Sequence, residues 1–147
     1  MSSLRFTIKP APVIVEHRPL YKIGQLLLVL RISSRGGKSS LARLQLFNWA
    51  LKRQERSQLL EVAAEAGQLR VNGWGFDPAV PIALRFAIAD GLIADAPTGY
   101  VLTTAGETFS QAILAAGLFQ SDLVILQKIS KKITEAMVNN VARSWEA

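Results

Sequence analysis

The sequence predicts a mainly α protein with one small β-hairpin, and three observations carry that reading. Apolar residues recur at helical spacing through most of the chain. A short apolar–turn–apolar stretch at residues 92–102 stands between two helix-start signals, and one broad apolar stripe runs through the last 25 or so residues.

The elements follow in order. Leu4 to Lys9 and Val13 to Glu16 are short alternating or β-branched runs parted by Pro10 and Pro12, so residues 1–18 are expected to form an extended arm or small strand. From Tyr21 to Ile32 apolar residues fall on every side (Ile23, Leu26, Leu27, Leu28, Val29, Leu30), the pattern of a buried helix or a buried strand, and length favours the helix. After the Arg35-Gly36-Gly37 break, Ser39 or Ser40 can cap a second helix, with Leu41, Leu44, Phe47 and Leu51 on one face. The same wheel sends Leu46, Trp49, Arg53 and Arg56 to the opposite side, towards solvent. A third helix spans about Ser57 to Ala66 and ends at Gly67, and Leu69 to Val71 could add a short strand.

Asp77-Pro78 is a helix start with a mechanism. The carboxylate can accept from free backbone amides, and proline at the first helical position loses a hydrogen that has no partner there. This helix should run to Asp90 and stop at Gly91. Leu92-Ile93-Ala94, the turn Ala96-Pro97-Thr98-Gly99 and Tyr100-Val101-Leu102 then read as a hairpin, and Thr104 with Glu107 as a capping box for the next helix, which Gly117 closes. Helix, hairpin, helix is the order of a winged helix. The expected architecture is a helical and winged-helix domain over residues 19–117. A single long C-terminal helix over residues 121–147 follows, its stripe of Leu123, Leu126, Ile129, Ile133, Met137, Val141 and Trp145 packing on the same domain or on a partner.

Composition narrows the function. With no cysteine and His17 as the only histidine, thiolate metal sites, disulfides and most acid–base chemistry are removed. No paired carboxylates stand out, and neither a cofactor nor a metal is expected. Met1 to Lys9 lacks the apolar stretch of a signal peptide and Leu26 to Leu30 is too short to cross a bilayer, so a cytoplasmic address without membrane association is expected. The net charge of +6 is unevenly placed: residues 1–60 hold 11 Lys/Arg against 2 Asp/Glu, a balance of +9, and residues 61–147 hold 6 against 9, a balance of −3.

Arg35-Gly36-Gly37-Lys38-Ser39-Ser40 imitates a phosphate-binding loop, but the motif needs a glycine where this chain has Ile32, so the stretch is expected to be a flexible interhelix loop with a serine cap. A winged helix usually lays the helix before its hairpin in the major groove of DNA. Here that helix offers only Arg85, the wing carries Asp95 and no base, and residues 61–127 hold 2 bases against 7 acids, a balance of −5. Protein contact is the better use of such a surface. The basic second helix and the loop before it supply the candidate partner-binding residues Arg35, Lys38, Arg43, Leu46, Trp49, Lys52, Arg53 and Arg56, since Trp and Arg dominate interface hot spots. Arg31, Arg35 and Lys38 are the candidates for holding a phosphate backbone.

Pro19-Leu20-Tyr21-Lys22 with the apolar helix after it, Ser33-Ser34-Arg35-Gly36-Gly37-Lys38-Ser39-Ser40-Leu41, and Leu44-Gln45-Leu46-Phe47-Asn48-Trp49-Ala50-Leu51-Lys52 resemble the middle component of three-component ABC-ATPase systems of bacteria, the group that includes Lamassu-type anti-phage defence. The motifs cover residues 15–55, and the element order agrees along the chain. The resemblance implies a non-enzymatic adaptor in a hetero-oligomer, seated on an SMC-like ABC ATPase and linking it to an effector nuclease, with DNA reached through the complex. A DNA-binding transcriptional regulator built on the winged helix is the alternative expectation.

Overall fold

The computed structural model describes residues 19–146, with side chains to Val141. The expected arm over residues 1–18, His17 within it, and the side chains of Arg143 and Trp145 lie outside the described residues.

The chain is mainly helical, with a small three-stranded antiparallel sheet. Its centre is α1 (Pro19–Ile32), in which every residue from Lys22 to Leu30 is buried. A helix that is apolar all round has no solvent face, and this one is covered by α2 (Leu41–Ala50), α4 (Ala79–Ala89), α5 (Thr104–Ala115) and α6 (Gln120–Ile129). Gly24 leaves room for the residue before α6: a Cβ there would lie 2.8 Å from the Phe119 ring, which also sits 4.9 Å from the Tyr21 ring.

At the end of α1 the Ser33 and Ser34 hydroxyls donate to the carbonyls of Leu126 and Val29, at 3.0 and 2.8 Å. Arg35–Gly37 makes one 3-10 turn, with Gly36 and Gly37 at φ 61° and 67°. The expected flexible loop is then corrected: Lys38–Ser39 is a strand, β1, and pairs with the hairpin. The strand order is β1-β3-β2, with Lys38 opposite Val101 and Ser39 opposite Tyr100. The hairpin itself is as expected, β2 (Ile93–Ala96) and β3 (Gly99–Leu102) joined by a two-residue turn at Pro97-Thr98. Gly99 makes the third strand possible, because a Cβ there would run into the Ser39 carbonyl.

Ser40 caps α2, its hydroxyl accepting from the Arg43 amide at 3.2 Å. The third helix, α3 (Gln54–Ala66), starts three residues earlier than expected and ends at Gly67, φ 72°. Residues 69–71 are not a strand. The irregular segment is anchored instead by buried Leu69 and by Trp74, whose indole N–H donates to the Ala42 carbonyl at 3.1 Å. At α4 the carboxylate of Asp77 accepts from the Ala79 amide at 3.0 Å, as expected of that start. The cap of α5 is Thr103 rather than Thr104. Its hydroxyl accepts from the Gly106 amide at 3.0 Å and donates to the Gly91 carbonyl at 2.6 Å, so Glu107 stands outside a capping box.

The single C-terminal helix is also corrected. It breaks at Ser130, φ 53° and ψ −141°, into α6 and α7 (Glu135–Glu146), and Thr134 restarts it by accepting from the Met137 amide at 3.2 Å. The apolar stripe bridges the break: Leu126, Ile129, Ile133, Met137 and Val141 are all buried in the same core as α1.

Candidate interaction surfaces

The candidate residues on and around α2 divide according to depth. Arg43 and Leu46, expected at the surface, are 3% and 0% exposed. The reason is that α2 is enclosed on both sides, so its second face is core too. Arg43 acts as an internal tie. Its guanidinium donates to the carbonyl of Ser33, to the Ser34 hydroxyl at 2.7 Å, to the Ile133 carbonyl at 2.8 Å and to the Ser39 hydroxyl at 3.4 Å, and it lies 4.8 Å over the Phe47 ring. These bonds join α1, β1 and the α6–α7 connection through one residue of α2. Burial lowers the Arg43 pKa to about 10, against the raising influence of Glu135, and leaves it charged at neutral pH.

The remaining candidates fall into two groups. At the end of α2, Arg56 stacks 4.7 Å over the half-buried Trp49 ring and donates to the Trp49 carbonyl at 3.2 Å. Lys52 pairs with Asp77 at 2.9 Å and Arg53 with Glu55 at 3.7 Å. These cations are occupied within the chain. At the other end of α2, Arg35 and Lys38 are exposed and line a cavity of about 510 Å³ beside the hairpin turn, and Lys131 of the α6–α7 connection joins them. Arg31 is half-buried on the last turn of α1 and does not line that cavity.

A buried polar chain fixes α4 against α2. Lys22 donates to the side-chain Oδ1 of Asn48 at 2.5 Å, the Asn48 side-chain amide donates to the Asp77 carboxylate at 3.0 Å, and the Gln45 side chain bonds both the backbone amide and the backbone carbonyl of Asp77, at 2.9 and 3.0 Å. Partial burial opposes ionisation of Asp77, but the bonds from Lys52, the Ala79 amide and Asn48, with the charge of Lys52, outweigh it and hold the carboxyl at about 2. Where α6 meets α1, burial pushes the Asp122 carboxyl above its ordinary value, although the 3.1 Å bond from Gln25 and the charge of Lys22 pull the other way. Among the described residues no group of three or more His, Asp and Glu is placed to hold a metal.

The surface that sequence reasoning missed is the outward side of α4. Val80, Ala83, Leu84 and Ala87 face the core, and one turn apart on the opposite side Ile82 and Phe86 stand 47% and 52% exposed, with Phe76 at 62% just before the helix. Between α4 and the hairpin lies a second cavity, about 450 Å³, lined by Pro81, Arg85, Ile88, Asp95 and Tyr100 among others. The signal was present: Ala79–Ala89 is apolar nearly all round, more than one buried face can use. Leu59 and Val62 on α3 and Val124 on α6 are also exposed.

No protein-family model matches the chain, and no curated protein or solved structure is significantly similar to it.

Proposed function

We propose that this protein is a non-enzymatic winged-helix subunit that docks partner proteins through α4. The winged-helix reading is supported by the order helix, strand, helices, hairpin, and by β1 completing a three-stranded sheet with β3 at its centre. The observation that carries the docking role is the exposed apolar side of α4, Ile82 and Phe86 with Phe76 beside them. In a winged helix this is the helix that enters the major groove. Two aromatic rings and an isoleucine give no hydrogen bonds to base edges and no charge to phosphates, whereas aromatic anchors rimmed by polar residues suit a protein partner.

The partners proposed are those implied by the resemblance of residues 15–55: an SMC-like ABC ATPase and an effector nuclease of an anti-phage or anti-plasmid complex, with this subunit as the link. The alternative, a regulator reading DNA with α4, is disfavoured by the same apolar face and by Asp95 on the wing. The test is co-purification of the tagged full chain with the products of its neighbouring genes. A coiled-coil ATPase retained by the parent chain and lost on Phe86→Ser, with thermal unfolding unchanged, supports the reading. Equal retention by the parent and by the Ile82→Ser/Phe86→Ser double variant removes α4 as the docking face.

A further inference from the structure

The cavity beside the hairpin turn is unlike the α4 face in its chemistry. Three elements meet around it: β1 supplies Lys38, the turn between β2 and β3 supplies Thr98, and the α6–α7 connection supplies Lys131 and Thr134, with Arg35 on the 3-10 turn. Its lining holds four bases, Arg35, Lys38, Arg43 and Lys131, against one acid, Glu135, a balance of +3. Arg43 is committed to the carbonyls and hydroxyls beneath. Glu135 is held by Ser40, whose amide and hydroxyl both donate to it, at 2.9 and 2.7 Å. The side chains of Arg35, Lys38 and Lys131 are exposed and have neither an ion pair nor a hydrogen bond among the described residues.

Glu135 offsets one charge of the lining, which leaves three like charges around one concavity without a partner. An external anion would supply one. We propose that this cavity holds the phosphates of a nucleic-acid backbone, without reading sequence. The residue types support the choice. Lys, Arg, Ser and Thr, which supply most of the polar lining, are among the residues that contact phosphate oxygens. The rigidity supports it too, because the Arg43 bonds to Ser39 and Ile133 brace the β1 rim and the α6–α7 rim against each other. The site lies at the hairpin tip and does not depend on α4 docking a protein. A subunit with both would grip a partner on one surface and a nucleic-acid strand on another.

Fluorescence anisotropy of the full chain with a labelled duplex of arbitrary sequence tests this. Three phosphate contacts predict a slope of log affinity on log salt near −2.7, so binding weakens about 40-fold between about 50 and 200 mM salt. Arg35→Ala, Lys38→Ala and Lys131→Ala should each flatten the slope by about 0.9. Lys38→Arg keeps the charge and should keep the slope, and Phe86→Ser on the docking face should leave it unchanged. Single-stranded DNA that binds with the shallower slope of its lower charge density also supports a backbone site. The proposal is overturned by no binding at about 50 mM salt, or by single variants that leave the slope intact. Binding of pyrophosphate without binding of either nucleic acid overturns it as well, by making the site one for small phosphates.

Discussion

Arg43 gives the sharpest test of the division between surface and core. By residue type and position it belongs with the docking cations; by geometry it is a bolt. Replacing it with Met keeps an unbranched stem over Phe47 but removes every donor, leaving the Ser33 and Ile133 carbonyls without it. Hydrogen bonds from a charged donor contribute about 1.5–3 kcal/mol each, so two give about 3–6 kcal/mol. The buried guanidinium itself is costly to desolvate, as its lowered pKa records, and its removal offsets part of the loss. A net destabilisation of about 3 kcal/mol is expected. With a urea m-value of about 2 kcal/mol/M, the midpoint should fall by about 1.5 M at constant m. Arg35→Met, on the cavity rim, should move it by less than about 0.3 M, in line with ordinary surface changes. Equal midpoints for Arg43→Met and Arg35→Met would refute the structural role and return Arg43 to the list of docking residues.

Other expectations are as direct. Asp77 is held at about 2 in the fold against an ordinary 3.8, so its contribution is complete above about pH 4 and is lost as pH falls from there towards 2; Asp77→Asn should cost about 1 kcal/mol at pH 7, after allowing for its partial exposure, and should flatten that acid limb in urea titrations. Asp122 has the opposite sign, since its raised pKa means the ionised form strains the fold. Asp122→Asn, which keeps an acceptor for Gln25, should therefore raise the melting temperature at pH 7 and have no such benefit well below its ordinary pKa. Ser130→Gly relieves a non-glycine residue at φ 53° and should stabilise by about 1 kcal/mol, read in the same urea assay. Gly24→Leu drives a side chain into the Phe119 ring and should cost more than about 2 kcal/mol, with loss of near-ultraviolet circular dichroism from the Tyr21–Phe119 pair.

Much of the local chemistry was legible, although the cap of α5 fell one residue before the expected Thr104. A cap at Ser39 or Ser40, which is Ser40, Asp77-Pro78 as a helix start, Gly67 as a helix end and Pro97-Thr98 as a hairpin turn each act within a few residues of themselves. What depends on distant neighbours was not. A two-residue strand such as Lys38-Ser39 shows no alternation, and only its pairing with Val101 and Tyr100 defines it. The break at Ser130 keeps both halves of the apolar stripe in register with the core, so periodicity alone joins them into one helix. The candidate site suffered from the same limit. The wheel of α2 showed two faces but not that both are covered, which hid the burial of Arg43 and Leu46. Lys131 lies more than 90 residues from Lys38 in sequence, and only the fold sets them around one cavity.

The helix buried on every face also has a consequence for synthesis. α1 leaves the ribosome before any of the segments that cover it, and the last of these, α6, ends about 100 residues later. At 5–20 residues per second, roughly 5–20 s pass while a strongly apolar helix waits for its enclosure. During that interval it is the part of the nascent chain most open to capture by a chaperone or to aggregation, and the yield of native protein should depend on how quickly translation delivers the second half of the chain.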